Sequence, residues 1–194
     1  AARLRRLDEQ AEIVMIERTG YVSYANCGLP YYVGDIITDK RKLTLQSPES
    51  FRNRFNIDVR VRQEAVKIDR EAKTVLIRNL EDGLEYKESY DSLILSPGAK
   101  AVKPDLPGID DRRILTLRTV EDTFAMKQRT DELIEQGRAR AVVIGGGFIG
   151  IEAAENLVER GFHVTLLQRG NHVMPTLDYD MACEGHAYAC EHGL

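Results

Sequence analysis

No apolar run in this chain is long enough to cross a bilayer; the longest, such as residues 141–144, are strand-sized. The first residues are basic and hold no apolar core of the length a secretory signal needs, so none is expected. Cysteine is scarce. Three in 194 residues cannot frame a disulfide scaffold, and a reducing cytoplasm is the expected compartment. A dominant charge is lacking too: 27 Lys and Arg against 31 Asp and Glu, spread along the chain, leave a net charge of −4. That balance argues against a nucleic-acid platform, although Arg3, Arg5 and Arg6 leave room for one small polyanionic ligand. Internal repeats and low-complexity tracts are also missing. What remains, 43% hydrophobic and 30% charged residues, describes an ordinary soluble globular protein.

The order of elements points to an α/β protein. Residues 1–8 read as the last two turns of a helix with no capping residue ahead of it, and residues 12–17 as a β-branched strand. That is the second half of a βαβ unit. Residues 178–192 form a helix-like stretch that ends abruptly at Gly193-Leu194, so the chain is expected to be a fragment of a larger protein. Ser47 caps a short helix with Pro48 at its first position. Residues 57–61, 65–69 and 74–78 alternate as half-buried strands, and Asp82-Gly83 turns a hairpin back through residues 84–87. Residues 93–95 read as a buried strand ending at Ser96-Pro97-Gly98. Pro104, Pro107 and Gly108 then mark a crossover between domains. Thr119 caps a helix reaching about Glu135, with Glu121 and Asp122 in its first turn. Strand 141–144, a glycine-rich turn, helix 149–160 and strand 163–167 complete the pattern before the final helix.

The strand at residues 141–144 runs directly into Gly145-Gly146-Gly147-Phe148-Ile149-Gly150. A G-x-G-x-x-G match alone is weak, but here it follows an apolar strand, opens a helix and precedes a second strand, as a dinucleotide fingerprint requires. Gly145 permits the tight turn, Gly147 lets the backbone approach a pyrophosphate, and Gly150 allows close helix–strand packing. The phosphates would then sit at the helix N-terminus. At the end of the second strand, where an acid usually binds the ribose, stand Gln168 and Arg169. A neutral amide removes a carboxylate that would repel a 2′-phosphate, and the guanidinium beside it offers a partner; this leans toward NADPH and leaves NADH open.

Cys27 follows a strand and precedes Leu29-Pro30, which can open a helix. A thiol there is either a small buried hydrophobe or a nucleophile whose thiolate is favoured by the helix dipole. It has no cysteine at short spacing, and His163, His172, His186 and His192 all lie in the last third. A Cys–His hydrolase and a metal site at Cys27 are both unsupported. The group Cys183, His186, Cys190 and His192 has the spacing C-x2-H-x3-C-x-H, which fits no compact zinc pattern; no metal is expected.

Ser23-Tyr24-Ala25-Asn26-Cys27-Gly28-Leu29-Pro30-Tyr31 closely resembles the active-site segment of coenzyme A–disulfide reductases and related persulfide and polysulfide reductases. These are flavoprotein pyridine nucleotide–disulfide oxidoreductases with one redox cysteine. Residues 93–99 resemble the family's second flavin-contacting turn, and residues 145–152 its nicotinamide turn. The resemblance implies tandem Rossmann-like domains: 1–108 for FAD, without its first strand and glycine-rich turn, and 109–194 for NAD(P)H. It implies that Glu17 binds the FAD ribose, the Ala65 backbone meets the adenine, and Ser96, Pro97, Gly98 and Ala99 lie along the FAD. Gly145, Gly146, Gly147, Phe148, Ile149, Gly150, Glu152, Gln168 and Arg169 would hold NAD(P)H, with Phe148 gating the nicotinamide. Cys27 would be the redox centre, flanked by Ser23 and Asn26 at the substrate sulfur. Arg3 and Arg6, one turn apart, would contact coenzyme A. Phe55 stands where some members carry a basic substrate contact. The implied reaction is reduction of coenzyme A disulfide, coenzyme A persulfide or polysulfide by NAD(P)H, in a homodimer when full length, with no nucleic-acid or membrane partner. The alternatives are an NADH oxidase or peroxidase cycling Cys27 through a sulfenic acid, and a non-catalytic redox or nucleotide sensor.

Overall fold

The computed structural model describes all 194 residues. The first elements are α1 (Ala2–Leu7), β1 (Val14–Glu17), a 3-10 turn (Asn26–Gly28), α2 (Leu29–Val33), α3 (Lys40–Leu43) and α4 (Pro48–Phe55). Four strands follow: β2 (Asp58–Val61), β3 (Gln63–Asp69), β4 (Thr74–Asn79) and β5 (Glu85–Ser89). The last part holds α5 (Val120–Glu135), β6 (Arg140–Ile144), α6 (Phe148–Glu159), β7 (His163–Leu167) and α7 (Tyr179–Glu191). No helix is long and apolar enough to cross a membrane.

The chain divides into two compact units, one of Ala1–Tyr24 with Thr44–Gly98, the other of Ala25–Leu43 with Ala99–Leu194. The cysteine-bearing stretch thus groups with the glycine-rich turn rather than with the residues on either side of it.

In the first unit β1 and β2 pair in parallel, Val14 opposite Asp58 through Glu17 opposite Val61. Strands β3, β4 and β5 form an antiparallel meander over a core that includes Ile57, Val59, Val75 and Ile77. Its second hairpin turns at Gly83, whose φ of 77° suits glycine, while Asp82 accepts from the Leu84 N–H at 2.9 Å. Ser47 accepts from the Ser50 N–H at 3.2 Å and caps α4 as its sequence predicts. Arg5 is structural: its guanidinium donates to the Phe55 and Asn56 carbonyls, both at 2.8 Å, and ties α1 to the end of α4. Residues 93–95 differ from expectation. Leu93, Ile94 and Leu95 are exposed and join no sheet. An apolar run of this kind becomes a strand only between neighbours, and the parallel sheet of this unit is the β1–β2 pair alone.

In the second unit β6 and β7 pair in parallel, Arg140 opposite His163 through Ile144 opposite Leu167, with α6 as the crossover. Helix α6 buries Ala153, Ala154, Asn156 and Leu157, a stripe at helical spacing. Ala154 and Leu157 join Val33, Phe162 and Val164 in the core. Burying a side chain such as Leu157 stabilises by about 2 kcal/mol. Thr119 and Asp122 close a reciprocal capping box at the start of α5.

Candidate active site

Strand β6 feeds the turn at residues 145–150, and each glycine there answers a steric demand. Gly145 has φ 109°, and its N–H donates to the Leu167 carbonyl at 2.8 Å, closing the turn onto β7. A Cβ on Gly150 would run into the Gly145 carbonyl oxygen, so glycine alone lets α6 start this close to the strand. Gly147 is the N-cap of α6 without any side-chain cap, and nothing lies within 4 Å of where its Cβ would stand. The first N–H groups of α6 are left without a side-chain cap at the positive end of the helix, where they could hold a pyrophosphate. Phe148 and Ile149 are exposed at its edge, and Glu152 follows one turn on.

Gln168 is engaged: its Oε1 accepts from the Gly146 N–H at 2.9 Å, so the side chain pins the glycine turn and keeps its Nε2 protons and one Oε1 lone pair for a nucleotide. Arg169 beside it is exposed and makes no hydrogen bond or ion pair within the chain.

Cys27 is a free, exposed thiol in the middle of the 3-10 turn that leads into α2. The turn is closed by the Gly28 N–H donating to Ala25 at 2.8 Å and by the Ala25 N–H donating to Leu43, also at 2.8 Å. Asn26, next to the thiol, accepts at Oδ1 from Arg118 Nη1 at 3.0 Å. Helix α2 buries Leu29, Pro30 and Val33, and Tyr32 meets Phe124 of α5 edge-on with ring centres 5.4 Å apart. Gly34, just after it, lies against α6 so closely that a Cβ would overlap the Asn156 amide.

Asp35 then pairs with Lys127 at 3.0 Å and Arg160 at 3.1 Å. Both cations also hold Asp131, at 2.6 and 2.7 Å. Burial pushes the Asp131 carboxyl up, but hydrogen bonds from Lys127 and Arg160 outweigh it and hold the group below its ordinary value. Polar and packing contacts thus brace the segment that carries Cys27 against α5 and α6, the latter being the helix that opens at the glycine turn.

In the first unit Glu17 ends β1, as a ribose-binding acid must. Its Oε1 accepts from the Thr19 N–H at 2.7 Å and hydroxyl at 2.8 Å, which orients the carboxylate and leaves Oε2 to accept from a diol. Ala65 lies opposite Ile77 at the bulge in β3. Ser96, Pro97 and Gly98 form an exposed loop with Gly98 at φ 70°, and Ala99 opens the connector beyond it. Arg3 and Arg6 are exposed on α1 and unpaired within the chain, unlike Arg5. Ser23 bridges Gln46, its carbonyl accepting from the Leu45 N–H at 3.0 Å. Phe55 packs on Phe51. On α7, Cys190 Sγ lies 3.7 Å from His186 Nε2.

Sequence reasoning missed Arg118, Asp35 and Thr19. Only Arg118 carried a local sign, since it directly precedes a capping box that fixes its backbone.

The whole chain, residues 1–194, matches the family model described as pyridine nucleotide-disulphide oxidoreductase. It is 37% identical over 182 residues to a coenzyme A disulfide reductase of Staphylococcus aureus, an alignment covering 93% of this chain and 40% of the relative. Among solved structures, reduced CoADR-RHD of Bacillus anthracis superposes with a TM-score of 0.94 at 51% identity, covering 99% of this chain and 34% of that one. An NAD-dependent persulfide reductase from A. fulgidus superposes with a TM-score of 0.91 at 37% identity, covering 99% and 35%. The chain spans about 40% of the length of the curated relatives it matches. Its α/β architecture corresponds to the nucleotide-binding part of such enzymes, and the chain belongs to the pyridine nucleotide-disulphide oxidoreductase family.

Proposed function

We propose that the protein to which this chain belongs reduces coenzyme A disulfide, or a coenzyme A persulfide or polysulfide, with NAD(P)H through the single cysteine Cys27. One observation carries this reading: Cys27 is a free thiol, exposed at the tip of a closed turn before α2, in a segment with no second cysteine. The relatives from S. aureus and A. fulgidus, described as coenzyme A disulfide and persulfide reductases, support the substrate class. FAD, when bound, supplies the two-electron relay between the nicotinamide and sulfur. The α6 N-terminus holds the NAD(P)H pyrophosphate, Gln168 fixes the turn, and Arg169 pairs with a 2′-phosphate where one is present. Glu17 accepts from the FAD ribose through Oε2, and the backbone from Ser96 to Ala99 lies along the flavin. Arg3 and Arg6 present two cations for the phosphates of coenzyme A.

The thiol chemistry balances in two steps. The Cys27 thiolate attacks one sulfur of the coenzyme A disulfide; a Cys27–S–S–coenzyme A bond forms and one coenzyme A thiolate leaves. Two electrons from NAD(P)H then break that mixed disulfide, returning the Cys27 thiolate and releasing the second coenzyme A thiol. Once the departed thiolate takes up a proton, both products are thiols and the net consumption is one NAD(P)H and one proton per disulfide. The full-length flavoprotein is expected to oxidise NAD(P)H with coenzyme A disulfide or polysulfide, and Cys27→Ser to lose this turnover by roughly a thousandfold or more, as loss of a covalent nucleophile does. Turnover with peroxide alone, or an undiminished rate in Cys27→Ser, refutes the reading.

A further inference from the structure

We infer that Arg118, outside every segment assigned above to a ligand, is a positioning residue for the thiol chemistry: it sets the orientation of the Asn26 amide beside Cys27. This rests on the proposed role of Cys27 and extends it to a residue that lies 92 positions from the neighbouring Asn26. The Arg118 Nη1 lies 3.0 Å from Asn26 Oδ1. A guanidinium only donates, so the atom facing it must be the amide oxygen, and the Nδ2 protons are turned the other way. Within the chain those protons have no acceptor, so they are the part of Asn26 available to a sulfur at Cys27.

The backbones at both ends of this contact are anchored by hydrogen bonds. The Arg118 N–H donates to the Asp122 carboxylate at 3.0 Å, alongside the Thr119 N–H at 3.0 Å, so the capping box of α5 fixes its backbone. Leu117 on its other side packs into the core of the unit. Asn26 opens the 3-10 turn, and its carbonyl accepts from the Leu29 N–H. With both backbones fixed, the charged hydrogen bond selects one amide rotamer. Without it the amide is free to present either its oxygen or its nitrogen to the sulfur. An oxygen there would repel a thiolate, whereas N–H groups favour it.

A double-mutant cycle in the full-length holoenzyme tests this, with Arg118→Met, Asn26→Ala and the double variant, and Arg118→Lys as the conservative partner. Arg118→Met is expected to lower kcat/KM for coenzyme A disulfide roughly ten- to a hundredfold, the range of a lost charge-assisted hydrogen bond. Reduction of the flavin by NAD(P)H in stopped flow should remain at the wild-type rate, and Arg118→Lys should recover part of the loss. In the Asn26→Ala background, Arg118→Met should cost nothing further. Alkylation of Cys27 by iodoacetamide, followed by mass spectrometry, repeats the cycle without turnover: Arg118→Met changes the rate only while Asn26 is present. Multiplicative effects in this alkylation cycle overturn the inference, as does a fall in flavin reduction equal to that in turnover. Failure of the reading of Cys27 itself shows separately, as full turnover in Cys27→Ser with the alkylation coupling intact.

Discussion

The two turns of the second unit to which chemistry is proposed are built by opposite means. The glycine turn at residues 145–150 is shaped by what its residues lack: Gly145 bends to φ 109°, and Gly150 has no Cβ to strike the Gly145 carbonyl. The cysteine turn at residues 26–28 is shaped by what distant residues contribute, with Arg118 on Asn26 and Lys127 and Arg160 on Asp35. A turn set by steric exclusion must shift its backbone to admit a side chain. A turn held by polar bridges yields in steps as the bridges are removed.

The largest effect is expected where the overlap is with backbone. Gly150→Ala places a methyl against the Gly145 backbone oxygen, so the turn or the start of α6 must shift to admit it. Thermal unfolding should report a loss of about 1–3 kcal/mol, and NAD(P)H binding should weaken. A variant that binds NAD(P)H normally would erase the contrast between the turns. Gly34→Ala comes next. Its methyl would meet the buried Asn156 amide, costing about 1–3 kcal/mol, and Asn156→Ala in the same chain should restore part of the stability because the Oδ1 and Cγ atoms are gone. Denaturant titration of the single and double variants reads this directly, and an additive double variant would contradict the contact.

The smallest effect belongs to the bridges at the far end of the cysteine segment. The Asp131 carboxyl is held below its ordinary value of 3.8 in the folded chain, so its stabilisation is complete above that value and fades as pH falls through the folded one. Its side chain is 40% exposed, so solvent screening limits the contribution to no more than about 1 kcal/mol. Asp131→Asn should therefore be slightly less stable than wild type at pH 7, with the difference shrinking as the pH falls below 3.8. A difference that grows on acidification would mean that the lysine and arginine do not hold the carboxylate.

This contrast also explains what could be read from the residues alone. Helix α5 was legible because Thr119 and Asp122 form a local cap, and β6, α6 and β7 because periodicity and glycine spacing are short-range signals. The glycine turn at residues 145–150 and the turn before α2 that carries Cys27 were legible for the same reason. The Arg118–Asn26 and Lys127–Asp35 bonds join residues 92 apart, and no pattern in a window of neighbours announces such a pair. The run 93–95 misled because an apolar triplet states a preference for burial without supplying a partner strand. Gln168 was located correctly, but its engagement with Gly146 depends on the side-chain rotamer, which residue type does not encode.

The most direct measurement is the intact mass and peptide map of the full-length flavoprotein after exposure to coenzyme A disulfide, before and after one equivalent of NAD(P)H. The proposed function predicts one coenzyme A in mixed disulfide on Cys27, lost on addition of the reductant with release of one thiol. An enzyme that turns over fully while coenzyme A is found only on Cys183 or Cys190, or on no cysteine, would contradict it.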